Sequence, residues 1–127
     1  VLKKLGISFQ YVSRHESANA IRYDALDERI ILHSTLIINT TPLGMYPNID
    51  ESPVEAAQLK QFKVVVDIVY NPKQTLILKK AQELGLDTVN GMDMLVCQAA
   101  KAEELWNKIT IDKNIIDEVL LEVEKEL

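Results

Sequence analysis

The sequence predicts an α/β fold with a mainly parallel sheet. Two apolar runs support this prediction: Leu36–Ile38, which ends in Asn39-Thr40-Thr41, and Val64–Val69, which only Asp67 interrupts. Unbroken rather than alternating apolar residues indicate strands that are covered on both faces, as in parallel sheets. Because the carboxyl ends of such strands form the ligand-binding edge of an open sheet, the polar residues that follow these runs are candidate site residues.

Composition excludes several classes of function. The chain has 127 residues, enough for one domain with a real core, and a net charge of −5 that argues against nucleic acid as a partner. No apolar run approaches the roughly 20 residues that span a bilayer. The single cysteine, Cys97, excludes an intrachain disulfide, fits a reducing cytoplasm and is expected to be a small core residue. His15 and His33 are isolated, so no metal site is predicted.

The first part of the chain predicts a helix end, a strand and a short helix. Val1–Gly6 resembles the last turn of a helix that stops at a C-terminal glycine, so we expect the sequence to be part of a longer chain. Ile7–Val12 alternates and predicts a strand that ends at Ser13-Arg14-His15. A polar loop, Glu16–Asn19, and a helical stretch, Tyr23–Leu32, precede the strand at Leu36.

The second part alternates helices with strands. An acid inside an apolar run, such as Asp67, must be paired, hydrogen-bonded or close to the strand end. Asn90-Gly91 is interpreted as a strand-to-helix turn because a helical pattern follows it. The last helix is amphipathic, with six acidic residues and two lysines over its segment. The predicted helices are Glu55–Gln61 (or a turn), Lys73–Leu84 before Gly85, Met92–Asn107 and Asp112–Leu127, and Thr88-Val89 is a very short strand.

Arg14 has two interpretations. At the end of the second strand of a dinucleotide-binding fold, an acid accepts hydrogen bonds from the ribose of NAD, whereas an arginine suits the 2′-phosphate of NADP. A guanidinium can hold a phosphate in a bidentate manner. The tripeptide alone favours an ordinary surface arginine.

Three motifs then occur in order: NTTPLGM, DIVYNP and NGMDMLVCQAA. At these separations they resemble the C-terminal NADP-binding domain of shikimate dehydrogenase, over about Leu5 to Trp106. The resemblance implies a Rossmann-like, doubly wound, mainly parallel sheet that lacks the first strand and glycine-rich loop in this sequence. It makes 1–111 a partial NADP-binding domain and 112–127 a C-terminal amphipathic helix of the same domain. Because the first strand would be central, the Ile7–Val12 and Leu36–Ile38 strands are not natural neighbours.

The resemblance also implies site residues. Ser13-Arg14-His15 corresponds to an Asn-Arg-Thr phosphate clamp in which the arginine is kept, while the family's next basic residue is Ala18 here. The resemblance also implies that Asn39, Thr40 and Thr41 lie on the cofactor side of the site. It implies contacts with the nicotinamide for the Ile68 backbone, the Gly91 carbonyl and the Met94 side chain. It implies contacts with shikimate for Tyr70 and Gln98.

The implied function is reversible hydride transfer between shikimate/3-dehydroshikimate and NADP(H). No lysine–aspartate pair here matches the family's catalytic pair, so we expect no catalytic residue in this chain and no shikimate oxidation by it alone. A quinate/shikimate dehydrogenase using NAD and a non-catalytic nucleotide-binding module remain alternatives. The expected partner is the small-molecule substrate, with no nucleic acid and no membrane. A homodimer is a candidate assembly, and the expected location is the cytoplasm.

Overall fold

The computed structural model describes residues 1–15, 17–26 and 33–126. These residues form two compact units, Val1–Ser34 and Thr35–Leu127, and each unit is described by itself. All the described side chains that are buried belong to the second unit. The assignment of 1–111 and 112–127 to one domain therefore stays a prediction.

The first unit begins as the sequence predicts. A 3₁₀ turn spans Leu2–Leu5 and ends at Gly6, whose positive φ of 68° is the left-handed conformation of a helix C-terminus. Strand β1 covers only Tyr11–Ser13, so the prediction of a strand from Ile7 was wrong over residues 7–10. The physical reason is that the partner strand, β2 (Ala20–Arg22), pairs in parallel with those three residues alone.

The sequence did not predict β2, because its three residues lie between polar segments and carry no alternating pattern. A 3₁₀ turn, Tyr23–Ala25, follows it. The remainder of the helix predicted for Tyr23–Leu32, from residue 27 onward, lies outside the described residues, as does Glu16 of the predicted loop.

The second unit contains a three-stranded parallel sheet in the order β3-β4-β5, which confirms the predicted α/β class. The strands are β3 (Leu36–Asn39), β4 (Val64–Asp67) and β5 (Asp87–Val89). Strand β4 is central, as its unbroken apolar run predicted, and the side chains of Val65 and Asp67 are completely buried.

Four α-helices are found among the described residues: α1 (Ala56–Leu59), α2 (Leu76–Glu83), α3 (Met92–Asn107) and α4 (Lys113–Glu126). Helix α3 has the predicted bounds, whereas α2 begins three residues later than predicted because Thr75 is still extended (φ −73°, ψ 164°). The core packs these helices on the sheet. Its apolar side chains are Val54, Leu59, Phe62, Val65, Val69, Ile77, Leu78, Ala81, Met92 and Val96.

Helix α4 contacts α3, and Lys73 forms an ion pair with Glu124 at 3.2 Å. An i,i+4 pair, Lys113 with Asp117 at 2.6 Å, lies on its exposed side. No helix in the described part of the chain is long and apolar enough to cross a membrane.

Candidate functional site at the sheet edge

The carboxyl ends of β3, β4 and β5 lie side by side at one edge of the sheet. Asn39 is paired in register with Asp67, and Val66 with Val89. The segments that leave the three strands, 40–45, 68–72 and 90–91, therefore start from the same edge. Six of the ten predicted site residues belong to these segments or to the strand end before them, namely Asn39, Thr40, Thr41, Ile68, Tyr70 and Gly91.

The loop after β3 is organised by the buried side chain of Asn39. Its Oδ1 accepts hydrogen bonds from both the backbone N–H (3.0 Å) and the hydroxyl (2.7 Å) of Thr41. The Thr41 hydroxyl in turn accepts the Leu43 N–H at 3.3 Å. Thr41 is thus held in a small polar turn, and its hydroxyl hydrogen is already used within the protein.

Asp67 is the buried centre of the edge. Its Oδ1 accepts hydrogen bonds from Asn39 Nδ2 and from the Val69 N–H, both at 3.1 Å, and its Oδ2 accepts the Thr75 hydroxyl at 2.6 Å. The expectation that this acid is hydrogen-bonded and close to the strand end is confirmed. Its partners were not predicted, although an acid within an apolar run signals that such partners exist.

Gly91 lies against the backbone that leaves β4. A Cβ atom at this position would be 2.0 Å from the Ile68 carbonyl oxygen, so only glycine fits here. The Gly91 N–H donates to the Val69 carbonyl (3.1 Å), and the Gly91 carbonyl accepts the Leu95 N–H at 3.0 Å. A carbonyl oxygen has two lone pairs, so this one retains the capacity to accept a ligand donor.

The start of α3 is fixed by Asn90, which was predicted only as part of a turn. Asn90 Oδ1 accepts the Met92 N–H at 3.0 Å, and its Nδ2 donates to the Lys73 carbonyl at 3.2 Å. The Asn90-Gly91 strand-to-helix turn is confirmed, because β5 ends at Val89 and α3 begins at Met92.

The remaining predicted residues of this unit are accessible. Tyr70 and Met94 are each 42% exposed, and Thr40 and Gln98 are also exposed. Met94 and Gln98 are four residues apart on α3 and therefore share one face of it. The prediction that Cys97 is a core residue was wrong: it is exposed, because the buried face of α3 runs through Met92 and Val96.

Ser13 and Arg14 belong to the first unit. Ser13 is the last residue of β1, and its hydroxyl accepts the His15 N–H at 3.3 Å. Arg14 is exposed. Burial raises the pKa of Tyr23 above its usual value of 10.0, while the positive charge of Arg14 lowers it.

A groove of about 520 Å³ also opens in the first unit. It is lined by Gln10, Ser17, Ala18, Asn19, Ala20, Ile21, Arg22 and Ala25, so none of the predicted cofactor residues lines it. In the described ranges, no group of three or more His, Cys, Asp or Glu side chains is arranged to hold a metal ion.

Comparison with known proteins relates this chain to shikimate dehydrogenases. The chain is 49% identical over 105 residues to the shikimate dehydrogenase (NADP(+)) of Clostridium perfringens, and 42% identical over 107 residues to that of Methanococcus aeolicus; each match covers 83% of this chain. Over most of its length, the chain is similar to shikimate dehydrogenases. It spans 38% of the length of these curated relatives, and no family model matches it.

A solved structure shows the same similarity to a shikimate dehydrogenase. The chorismate mutase/shikimate 5-dehydrogenase fusion protein of Clostridium acetobutylicum superposes with a TM-score of 0.81 at 40% identity, covering 91% of this chain and 44% of that one. The Rossmann-like class implied by the sequence motifs is confirmed by this likeness to a shikimate dehydrogenase.

Proposed function

We propose that this chain carries the NADP-binding side of a shikimate dehydrogenase cleft. The activity would be reversible hydride transfer between shikimate/3-dehydroshikimate and NADP(H), a step of aromatic amino-acid biosynthesis. The observation that carries the proposal is the convergence of the Asn39–Thr41 turn, the Ile68 backbone and Gly91 at one sheet edge, in a chain 49% identical to a named NADP(+)-dependent shikimate dehydrogenase.

The groups at this edge fit a nicotinamide. A carboxamide offers donors and an acceptor, and the Gly91 carbonyl keeps a free lone pair beside the Ile68 backbone. The exposed Met94 side chain, in the first turn of α3, offers an apolar surface for a flat ring. Thr40 has an exposed hydroxyl, whereas Thr41 and Asn39 support the turn rather than present free donors.

The substrate contacts are assigned to Tyr70 and Gln98. Both side chains are exposed, and each ends in a group that can hydrogen-bond a hydroxyl or carboxylate. In the first unit, Ser13 and Arg14 are assigned to the 2′-phosphate of NADP, because a guanidinium binds phosphate oxygens in a bidentate manner.

This chain would bind and orient the reactants without moving the proton itself. Asn39–Thr41, Ile68, Gly91 and Met94 would hold NADP, which would supply the acceptor for the hydride of the substrate carbon. The residues named above would position the ring and the substrate, which supplies part of the rate enhancement through orientation. Because no lysine–aspartate pair here matches the family's catalytic pair, we propose that the 127-residue chain alone does not oxidise shikimate.

Calorimetric titration of the chain with NADPH, NADH and shikimate tests this proposal, together with an assay for shikimate-dependent NADPH formation. We expect NADPH to bind more tightly than NADH, and no NADPH formation. Absence of NADPH binding would contradict the assignment of the cofactor edge. Measurable NADPH formation would contradict only the proposal that the isolated chain is inactive.

Two further proposals concern the setting of the protein. A cytoplasmic location is supported by the single cysteine, which is exposed and makes no disulfide. A homodimer is supported by exposed apolar residues on α4, namely Ile115, Val119 and Leu121. Sedimentation at several concentrations tests the second: a monomer throughout would exclude it for this chain.

A further inference from the structure

Thr75 occupies a helix N-cap position without capping its helix. Its backbone is extended directly before α2, as N-cap residues are, yet its side chain makes no hydrogen bond to the first turn of that helix. The hydroxyl instead donates to Asp67 Oδ2 at 2.6 Å. The Thr75 hydroxyl thus bonds a residue of the sheet instead of capping its own helix. This choice indicates a structural requirement outside that helix.

That requirement is visible around Asp67. One carboxyl group joins the end of β3 through Asn39, the segment after β4 through the Val69 N–H, and the start of α2 through Thr75. The exposed surface of Asp67 is 0%, and none of its side-chain polar atoms lacks a partner. The group is therefore fully engaged by the protein and is not available to a ligand.

The bond from Asn39 to Asp67 also orients the side chain of Asn39 toward Thr41. Because Asn39 Nδ2 points to Asp67, its Oδ1 must point the other way, where it receives both donors of Thr41. Asp67 is therefore linked to Thr41 through Asn39, and no direct hydrogen bond joins the two residues.

Thr75 also lies beneath the same loop. A Cβ atom on Gly44 would be 3.0 Å from the Glu51 carbonyl oxygen and 3.3 Å from Thr75 Cβ, so the turn packs closely against both residues. Gly44 is buried and has a positive φ of 88°, which keeps the turn tight. The Asp67–Thr75 hydrogen bond thus fixes a side chain that packs near the Gly44 turn, while Asn39 is hydrogen-bonded to Thr41 of the same loop.

We propose that Asp67 is a positioning residue: through Asn39 it sets the direction of Thr41, and through Thr75 it fixes the surface on which the Gly44 turn rests. The proposal relies on the proposed function only for the assignment of this loop to the cofactor side. It predicts that losing the Asp67 contacts misplaces the loop while the rest of the unit stays folded.

The test compares Thr75→Val with Thr75→Ser in the full chain, by amide NMR spectra and by NADPH titration. Valine keeps the shape of threonine without its donor, whereas serine keeps the donor. We expect the amide signals of 39–43 to move in Thr75→Val and to stay near their wild-type positions in Thr75→Ser. NADPH affinity should fall about tenfold with valine, because we expect the misplaced loop to cost the complex about as much as one hydrogen bond to a charged group.

Asp67→Ala and Asp67→Asn form the second pair. Asparagine keeps an oxygen for Asn39 and Val69, and its amide can donate to Thr75, so it should restore much of what alanine loses. Asp87→Ala, which removes an exposed acid of β5, is the control and should move neither reading. If Asp67→Ala does not fold, the Thr75 pair still decides.

A wild-type Thr41 amide signal in folded Thr75→Val would overturn the proposal. So would a lower melting temperature with unchanged native spectra and affinity, since that result would show a purely structural role. If the wild-type chain does not bind NADPH, the proposed function fails and the NMR comparison alone decides the positioning role.

Discussion

Replacing Gly91 with alanine is the substitution whose effect the structure defines most sharply. The backbone φ of Gly91 is −78°, which alanine adopts freely, so the cost is steric alone. The added Cβ would be 2.0 Å from the Ile68 oxygen and 2.5 Å from its carbonyl carbon. Relief requires the two segments to separate by about 1 Å or more, because carbon–oxygen contacts are about 3.3 Å or longer.

That separation weakens the hydrogen bond from the Gly91 N–H to the Val69 carbonyl. Overpacking of about 1–3 kcal/mol and a weakened hydrogen bond of about 1 kcal/mol give a destabilisation of about 2–4 kcal/mol. Urea unfolding followed by far-UV circular dichroism measures this difference.

Gly85→Ala is the matched control. Gly85 has a φ of 74° and nothing within 4 Å of its would-be Cβ, so its cost comes from the dihedral alone, about 1–2 kcal/mol. If Gly91→Ala unfolds within about 0.5 kcal/mol of the wild type, or is less destabilising than Gly85→Ala, the steric reasoning is refuted.

Three further predictions concern the first unit. Arg14→Ala should reduce the preference for NADPH over NADH, while Arg22→Ala, whose guanidinium is paired with Asp24 at 2.9 Å, should not; calorimetry compares the two. Because the pKa of Tyr23 is raised in the folded chain, the contribution of this residue to the free energy of unfolding is fully present below pH 10.0. That contribution is lost as the pH rises through the pKa of Tyr23 in the folded chain. NMR titration of labelled tyrosine rings should therefore show this ring titrating above 10.0, and higher still in Arg14→Ala. Amide exchange should be faster in β1 than in β4, since β1 has no buried residue and a single three-residue partner.

Much of the second unit was predictable because its local signals agree with its packing. The unbroken run of β4 predicted a central strand, and the Asn90-Gly91 turn was assigned from the helical pattern that follows it. Helix α3 was predicted at its exact bounds, since its apolar spacing is long and regular.

The errors lie where structure depends on partners that the sequence does not name. The strand predicted from Ile7 shortens to β1 because pairing with β2 covers only three residues. Cys97 was assigned to the core by residue type, whereas the position of Met92 and Val96 places it on the other side of α3.

The buried hydrogen bonds were the least predictable part of the candidate site. The position of Asp67 in an apolar run indicated that it needed partners, but Asn39 and Thr75 are 28 and 8 residues away in sequence. Thr75 lies inside the helix predicted over Lys73–Leu84, and that prediction did not indicate its bond to Asp67. Such long-range contacts follow from the register of the strands and not from any local pattern.

Amide NMR mapping of NADPH on the full chain tests the central claim most directly. If this sheet edge binds the nicotinamide, increasing NADPH should shift the signals of Thr40, Thr41, Gly91 and Met94 in a saturable way, and leave those of α4 in place. Shifts that saturate elsewhere, with the Thr40, Gly91 and Met94 signals unmoved, would contradict the account.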